Sequence, residues 1–325
     1  MGGRGTHGQT HDRHGDADRN RKSTAVRAAA QRKRVHEWLM TLPSLVWLAA
    51  LFLVPTLFVF AIAFKPADLF GGIGAGWTLE TWRSLGNPNY PSIIWRTVLL
   101  SVVTTLVCLL LAIPTGYCLA RAKPRWRRLL LLLVVVPFWT NFLVRVFAWK
   151  HLLHPEGLIK KTLVASGLLA PDTSLLYTPE AVLLVMVYTC LPFAILPIYA
   201  AAEKFDFGLL DAAMDLGARR GRAFRSVFLP GIRRGVLTAV LMVFIPSLGS
   251  YVIADVVGGP NSEMIGNKIA QRTFNDRNLP HASALAALLT LVVLAPMLIV
   301  LFGPGRNGTA TGRPTPRPDA EGPVP

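Results

Sequence analysis

The chain has 325 residues, of which 52% are hydrophobic and only 16% are charged, and its formal net charge is +16. The apolar residues occur in long blocks, each close to the roughly 20 residues that a helix needs to cross a bilayer. This distribution excludes an ordinary water-soluble globular protein. It predicts an all-α membrane protein, because a helix satisfies its own backbone hydrogen bonds in lipid.

We predict one membrane domain, residues 37–303, between two polar tails. The first block, LMTLPSLVWLAALFLVPTLFVFAIAF, has no charge over residues 39–64 and is followed by no cleavage site, so we interpret it as an uncleaved first span. The six predicted spans lie at about 39–64, 95–120, 129–149, 180–200, 235–257 and 283–303. Every span contains proline, which suits helices that bend around a pathway but is also frequent in ordinary membrane helices.

The two tails differ from the spans in composition. Residues 1–36 are rich in Gly, Arg, His, Asp and Thr, and residues 304–325 are rich in Pro and Gly. With so little apolar surface to bury, both tails are predicted to be disordered.

Basic residues are unevenly distributed between the segments that connect the spans. Segments 1–38, 121–128, 201–234 and 304–325 hold 24 Lys and Arg residues, whereas 65–94, 150–178 and 258–282 hold 8. Basic segments stay on the cytoplasmic side, so this bias predicts that both termini are cytoplasmic. The positive charge is thereby explained by topology, and we expect membrane lipid rather than nucleic acid as the contacting partner.

A polar segment, residues 206–231, separates the fourth and fifth spans. Asp206 is placed to cap a helix, Gly217 permits a turn, and a second short helix ends at the sequence Leu229–Pro230–Gly231. The apolar positions of the two helices form one face each and are Leu209, Leu210, Ala213, Met214 and Gly217, then Ala223, Phe224, Val227 and Phe228. Such an element can rest on lipid, pack on its own bundle or dock in a groove of another protein.

The sequence DAAMDLGARRGRAFRSVFLP within this segment resembles the EAA signature of permease subunits in bacterial ABC importers. The matching positions are Asp211, Ala212, Ala213, Gly217, Leu229 and Pro230, with Asp in place of the usual Glu at 211. In that family the segment is a cytoplasmic coupling helix that docks in a groove of the ATPase subunit. The resemblance therefore implies a coupling role for these residues, to which we add Phe224 on the second helix.

Further stretches, 137–153, 175–206 and 245–285, resemble the spermidine/putrescine branch of these permeases, and the similarity extends over about 40–303. It implies a permease subunit in the bacterial inner membrane that moves polyamines into the cytoplasm. The partners implied are two ATPase subunits, a second homologous permease subunit and an extracytoplasmic solute-binding protein. Alternatives are a permease for ferric iron, thiamine or another small solute, and a stand-alone secondary transporter.

Catalytic and metal-binding motifs are not apparent in the sequence. It contains no G-x-x-x-x-G-K-[ST] phosphate loop and no nucleophile–base set. We therefore expect the chain not to be an enzyme and to hold no cofactor or metal, with ATP and Mg²⁺ bound by the partner ATPase.

Charged residues are rare within the predicted spans, where they are costly and usually face a cavity or a partner. Arg145 lies in the third span and Asp255 in the fifth, where Ser247, Tyr251 and Asp255 recur every four residues and so share one helical face. Aromatic rings attract ammonium groups by about 0.5–2 kcal/mol each, but they also serve as interfacial anchors. The predicted substrate pathway comprises Trp139, Arg145, Tyr188, Ser247, Tyr251 and Asp255.

Overall fold

The computed structural model describes residues 40–68, 71–86 and 89–302, and most of these residues are helical. The predicted tails, 1–36 and 304–325, lie outside the described residues. Within the described ranges the helices are, in chain order, α1 (Met40–Ile62), α2 (Glu80–Ser84), α3 (Asn89–Arg121), α4 (Pro124–Val135), α5 (Phe142–Leu153), α6 (Leu158–Ala165), α7 (Pro179–Glu203), α8 (Gly208–Asp215), α9 (Arg220–Ala223), α10 (Leu229–Gly231), α11 (Arg233–Leu248), α12 (Val252–Val257), α13 (Ile265–Ala270) and α14 (Leu279–Phe302).

Short irregular turns link several of these helices. Two are 3₁₀ turns, Val136–Trp139 and Pro260–Ser262, and two are π-helical, Phe224–Phe228 and Gln271–Asn275. The π segment Phe224–Phe228 joins α9 to α10 without a break, so that these three pieces form one helical unit, Arg220–Gly231.

Among the described residues, α1, α3 and α7 are each long and apolar enough to cross a membrane. Two bent pairs of helices pass the same criteria if each pair is taken as one span. They are Pro124–Trp139 with Phe142–Ala165 and Arg220–Gly231 with Arg233–Leu248, and including them gives up to five spans by length and composition. The prediction of an all-α, multi-pass membrane protein is confirmed.

The predicted third span, 129–149, contains a sharp bend. The helical unit Pro124–Trp139 meets Phe142–Ala165 at an angle of 93°. Thr140 is extended at the break, and the side chain of Asn141 accepts a hydrogen bond from the N–H of Leu143 at 2.8 Å, which caps a new helix. The 3₁₀ turn around Pro137 and this cap together redirect the chain.

The predicted fifth span, 235–257, is interrupted and is not one continuous helix. Helix α11 ends at Leu248 and α12 begins only at Val252. In the gap, the N–H of Ser250 donates to the carbonyl of Ser247 at 3.2 Å. The carbonyl of Tyr251 accepts a hydrogen bond from the amide of Asn267 at 3.1 Å, so a residue of α13 satisfies a group that the break exposes.

This break overturns one detail of the sequence reasoning. Ser247, Tyr251 and Asp255 do not share the face of a single helix, because they lie before, within and after the interruption. The spacing of four residues has geometric meaning only where the helix is continuous.

Helices α3, α7 and α11 pack against one another and form the largest buried core. Small residues allow the close approach, as is common between membrane helices. A side chain at Gly116 would lie 2.7 Å from Ile198, and one at Gly235 would overlap Ala201. Buried small residues along the same interfaces are Cys108, Ala112, Cys190, Ala194, Ala202 and Ala239.

A second core lies toward the other end of α7, where α5 and α12 pack on it. Val146, Met186 and Ile253 are buried there, each from a different helix. Helix α1 contrasts with both cores, since no residue of its most apolar stretch is buried within the chain. The polar segment after α7 therefore lies at one end of the bundle, beside the first core. The α11–α12 break lies near the second core.

Candidate functional site

The helical hairpin of residues 206–231, the coupling segment predicted from sequence, begins with a side-chain hydrogen bond. A carboxylate oxygen of Asp206 accepts from the N–H of Gly208 at 2.9 Å, so Asp206 satisfies a free N–H at the start of α8. Leu210 of α8 is buried and Met214 is partly buried, whereas Leu209 is 53% exposed. The predicted apolar face is therefore divided, and Leu209 points away from the bundle.

Gly217 ends α8 in a left-handed conformation, with φ of +87°. Its N–H donates to the carbonyl of Met214 at 2.9 Å, and the N–H of Ala218 donates to the carbonyl of Ala213 at 3.0 Å. This pair of bonds is the Schellman motif, which commonly requires glycine because other residues are strained at positive φ. The turn predicted at Gly217 is confirmed.

Five aromatic rings hold the hairpin against the bundle. Phe228 is fully buried at their centre, with ring centroids 5.0 Å from Tyr117 of α3 and 5.3 Å from Phe205. Phe224 and Phe207 complete the cluster, each within 6 Å of Tyr117. Edge-to-face contacts of this kind add to the burial of the rings themselves. Phe224 and Phe228 therefore anchor the hairpin to its own bundle.

Tyr117, Phe205 and Phe207 were missed by sequence reasoning, because only the fold brings α3 and the end of α7 to this hairpin. Arg121, at the end of α3, donates to the hydroxyl of Tyr117 at 2.8 Å and covers the ring of Phe207 at 5.6 Å. An open cavity of about 570 Å³ lies beside these groups, with Arg121, Asp211 and Arg220 among its lining residues. A signal for the cluster was present in the sequence as the FDF run that precedes α8.

The seven residues predicted for coupling divide by exposure. Asp211, Ala212, Gly217 and Pro230 are exposed, and Ala213, Phe224 and Leu229 are partly buried. Leu216, which the sequence reasoning did not single out, is 90% exposed. With Leu209 and Ala212 it forms an apolar outer surface on α8 that nothing in the described chain covers, and we call these three residues the outer face of α8.

At the α11–α12 break, a cavity of about 420 Å³ brings together three of the six predicted pathway residues, Arg145, Ser247 and Tyr251. Ser247 is buried, and its hydroxyl donates to the carbonyl of Val243 at 2.7 Å. The guanidinium of Arg145 covers the ring of Phe138 at 5.6 Å, and its buried Nε has no hydrogen-bond partner. Arg145 takes part in none of the ion pairs of the described ranges.

The other three predicted pathway residues lie elsewhere. Asp255 lines a neighbouring cavity of about 580 Å³, and Tyr251 borders both cavities. The ring of Tyr188 packs edge-on against Trp149 at 5.3 Å, and Trp139 is 78% exposed at the end of its 3₁₀ turn. Tyr188 and Trp139 line neither cavity.

Metal coordination receives no support from the part of the chain that the structure describes. No group of three or more His, Cys, Asp or Glu side chains there could hold a metal ion. Cys108 and Cys190 are buried and free, and Cys118 is exposed and free. The chemistry of the described sites is therefore that of hydrogen bonds, charges and aromatic faces.

Comparison with known families decides the class of protein. Residues 112–307 match the family of inner membrane components of binding-protein-dependent transport systems. The chain belongs to this family. The region matched contains the hairpin and both cavities, so the geometry described above is part of the family domain.

Individual relatives agree with the family. The chain is 37% identical to the spermidine/putrescine transport system permease protein PotB of Haemophilus influenzae, over 79% of this chain and 89% of the relative. It is 32% identical to PotB of Escherichia coli, over 80% and 94%, and 32% identical to the inner membrane ABC transporter permease protein YdcU of the same species, over 67% and 73%.

Solved structures support the family fold. A bacterial ABC transporter involved in the import of alginate has a chain that superposes with a TM-score of 0.62 at 18% identity, covering 85% of this chain and 96% of that one. A second structure, of an alginate ABC transporter with a pentasaccharide-bound periplasmic protein, gives 0.62 at 19% identity. The confirmed assignment is thus an ABC-type permease fold.

Proposed function

We propose that this chain is the permease subunit of an ATP-driven importer that moves the polyamines spermidine and putrescine into the cytoplasm. The observation that carries the proposal is the 37% identity to a spermidine/putrescine permease over 89% of that relative's length. The acidic and aromatic residues near the α11–α12 break, among them Tyr251 and Asp255, are of the chemical type that binds ammonium groups.

The hairpin 206–231 is proposed to be the coupling element, docked in a groove of a cytoplasmic ATPase subunit that binds ATP and Mg²⁺. Its Schellman turn and its aromatic anchor support this role, because the ring of Tyr117 on α3 contacts Phe207 at the start of α8 and would carry a movement of the hairpin into the bundle. The outer face of α8 supplies apolar surface for the ATPase, and the exposed Asp211 supplies a charge.

The complete transporter would contain two ATPase subunits, a second homologous permease subunit and an extracytoplasmic solute-binding protein. The family description names binding-protein dependence, and a structure of similar fold was solved with its periplasmic protein. Both termini are proposed to be cytoplasmic, with six spans formed by α1, α3, the bent α4–α5 unit, α7, the interrupted α11–α12 unit and α14.

The distribution of charge supports this topology. The basic residues 121–128 and the hairpin 206–231 should face the same side under the positive-inside rule. Consistent with that, Arg127 forms an ion pair with Glu203 at 2.9 Å, joining the start of α4 to the end of α7 directly before the hairpin.

The experiment that tests the proposal is uptake of labelled spermidine and putrescine by cells that lack other polyamine importers. The chain is expressed with its partner ATPase, second permease and binding protein, and a variant ATPase unable to hydrolyse ATP provides the control. Saturable, ATP-dependent polyamine uptake is expected. ATP-dependent uptake of thiamine or ferric iron without polyamine uptake would refute the substrate assignment while leaving the family intact.

A further inference from the structure

The cavity that Asp255 lines is open to the surface of the chain, and its lining is rich in acidic, aromatic and amide side chains. It has a volume of about 580 Å³ and lies beside α12, α13 and the π segment Gln271–Asn275. Two carboxylates, three aromatic rings and three side-chain amides line it, and these residues are Asp255, Glu263, Tyr177, Tyr251, Phe274, Asn267, Gln271 and Asn275. Carboxylates and aromatic faces are both attractive to cations, whereas no Lys or Arg lines the cavity.

The ammonium groups of two lysines already contact side chains that line this cavity. The ammonium of Lys268 lies 3.0 Å from a carboxylate oxygen of Glu263 and donates a hydrogen bond to the side-chain oxygen of Gln271 at 3.0 Å. The ammonium of Lys150 lies 5.9 Å from the centre of the Tyr177 ring. A carboxylate with an amide oxygen, and an aromatic ring, therefore each contact a primary ammonium group at the edge of this cavity. A polyamine would bind through groups of the same kinds.

The position of Tyr177 is fixed by its backbone. Its φ of 65° is rare for a residue other than glycine, and its N–H donates to the carbonyl of Val257 at 2.9 Å. Gly259 approaches so closely that any side chain there would overlap the carbonyl of Tyr177. A strained residue held by several contacts suggests that the placement of this ring has a function.

Asp255 differs from Glu263 in its partners. Glu263 is neutralised by Lys268, whereas Asp255 takes part in none of the ion pairs of the described ranges. Asp255 is exposed and lines this cavity together with Tyr251, which also lines the Arg145 cavity. The cavity thus has one carboxylate available to a ligand and one occupied by an internal ammonium group.

We propose that this cavity is a binding subsite for linear di- and polyammonium ions, in which one ligand ammonium pairs with Asp255 and a second displaces Lys268 from Glu263. The proposal deepens the polyamine assignment above and rests on it. In this exchange a ligand N–H⁺ group takes over the contacts to Glu263 and Gln271, and the Lys268 ammonium moves into water. Lys268 acts as an internal competitor whose charge balances that of Glu263 when the subsite is empty.

The test uses the assembled transporter and measures the substrate concentration that gives half-maximal spermidine uptake, together with the maximal rate and the amount of complex in the membrane. Asp255→Asn removes the free carboxylate at constant size. Lys268→Gln removes the internal ammonium and leaves Glu263 available. Glu156→Gln is the matched control, because Glu156 is an exposed carboxylate in the turn after α5 and does not line the cavity.

Asp255→Asn should raise the half-maximal concentration about two- to fivefold, the range expected when an exposed charge pair is lost. Lys268→Gln should lower it about two- to fivefold, since the ligand no longer competes with an internal ammonium; a merely structural Lys268 would give no decrease. Glu156→Gln should behave as the wild type.

Failure of the subsite and failure of the substrate assignment give different results. If the wild-type transporter takes up spermidine but Asp255→Asn leaves the half-maximal concentration unchanged, the subsite is wrong and the polyamine function stands. If Lys268→Gln raises that concentration, the exchange with the internal ammonium is refuted. If the wild-type transporter takes up no polyamine, the proposed function itself fails.

Discussion

Replacing Gly217 by alanine would test whether the Schellman turn holds the hairpin in a working geometry. A side chain at this position would meet no atom within 4 Å, so steric overlap contributes nothing to the effect. The cost arises from the backbone alone: at φ of +87°, a non-glycine residue is destabilised by about 1–2 kcal/mol. That free energy lowers the population of the observed turn about 5- to 30-fold relative to alternative turns.

Gly221 provides a matched control four residues further along the same hairpin. It is exposed, has no atom within 4 Å of an added side chain and lies in α9 without a positive φ. Gly221→Ala should therefore be neutral or stabilise α9 by about 0.5–1 kcal/mol. Gly217→Asn should be milder than Gly217→Ala, because asparagine tolerates the left-handed conformation better.

The assay compares membrane abundance, co-purification of the ATPase subunit and spermidine uptake for the three variants in the same cells. Gly217→Ala should insert normally, because the spans are untouched, yet retain less ATPase and transport more slowly. Gly221→Ala should match the wild type in all three measurements. If the two alanine variants are indistinguishable in ATPase retention and uptake, then the turn at Gly217 is not part of the coupling element.

Three further predictions concern the packing and the topology. Phe228→Ala should lower the stability of the purified chain by about 3–5 kcal/mol, because Phe228 is fully buried, and thermal unfolding in detergent measures this change. Leu216→Ala is the control: at a 90% exposed position it should change the stability by no more than about 0.5 kcal/mol. Gly235→Val should reduce membrane abundance, since the added side chain overlaps α7, and normal abundance would contradict the observed packing of α7 on α11. A reporter that is active only in the cytoplasm should work when inserted at 121–128 and fail at 165, and activity at 165 would refute the proposed orientation.

Several features could be predicted from the sequence because they depend on local composition. Membrane-length apolar blocks indicate helices whatever they pack against, and α1, α3 and α7 lie where three of those blocks predict them. The turn at Gly217 is similarly local, because a glycine that follows an amphipathic helix favours the left-handed conformation. The resemblance of 211–230 to the EAA signature was recognisable for the same reason, since its residues are contiguous in the chain.

The two broken helices show where periodicity alone misleads. Apolar runs across 129–149 and 235–257 satisfy the length of a span, but the capping amide of Asn141 and the bond from Asn267 to the Tyr251 carbonyl stabilise breaks within them. The second of these bonds joins residues 16 positions apart, and the sequence does not state which distant side chain will satisfy a freed backbone group.

The sequence by itself determined that this chain is a helical, multi-pass membrane protein with a polar hairpin of the permease type, because hydrophobic length, charge bias and turn residues act over short segments. Only the tertiary structure decided which aromatic rings surround Phe228, that Arg145 and Tyr251 share a cavity and that Asp255 lies in the next one with Glu263. These neighbours come from separate helices, and their meeting depends on how small residues such as Gly116 and Gly235 allow α3, α7 and α11 to pack.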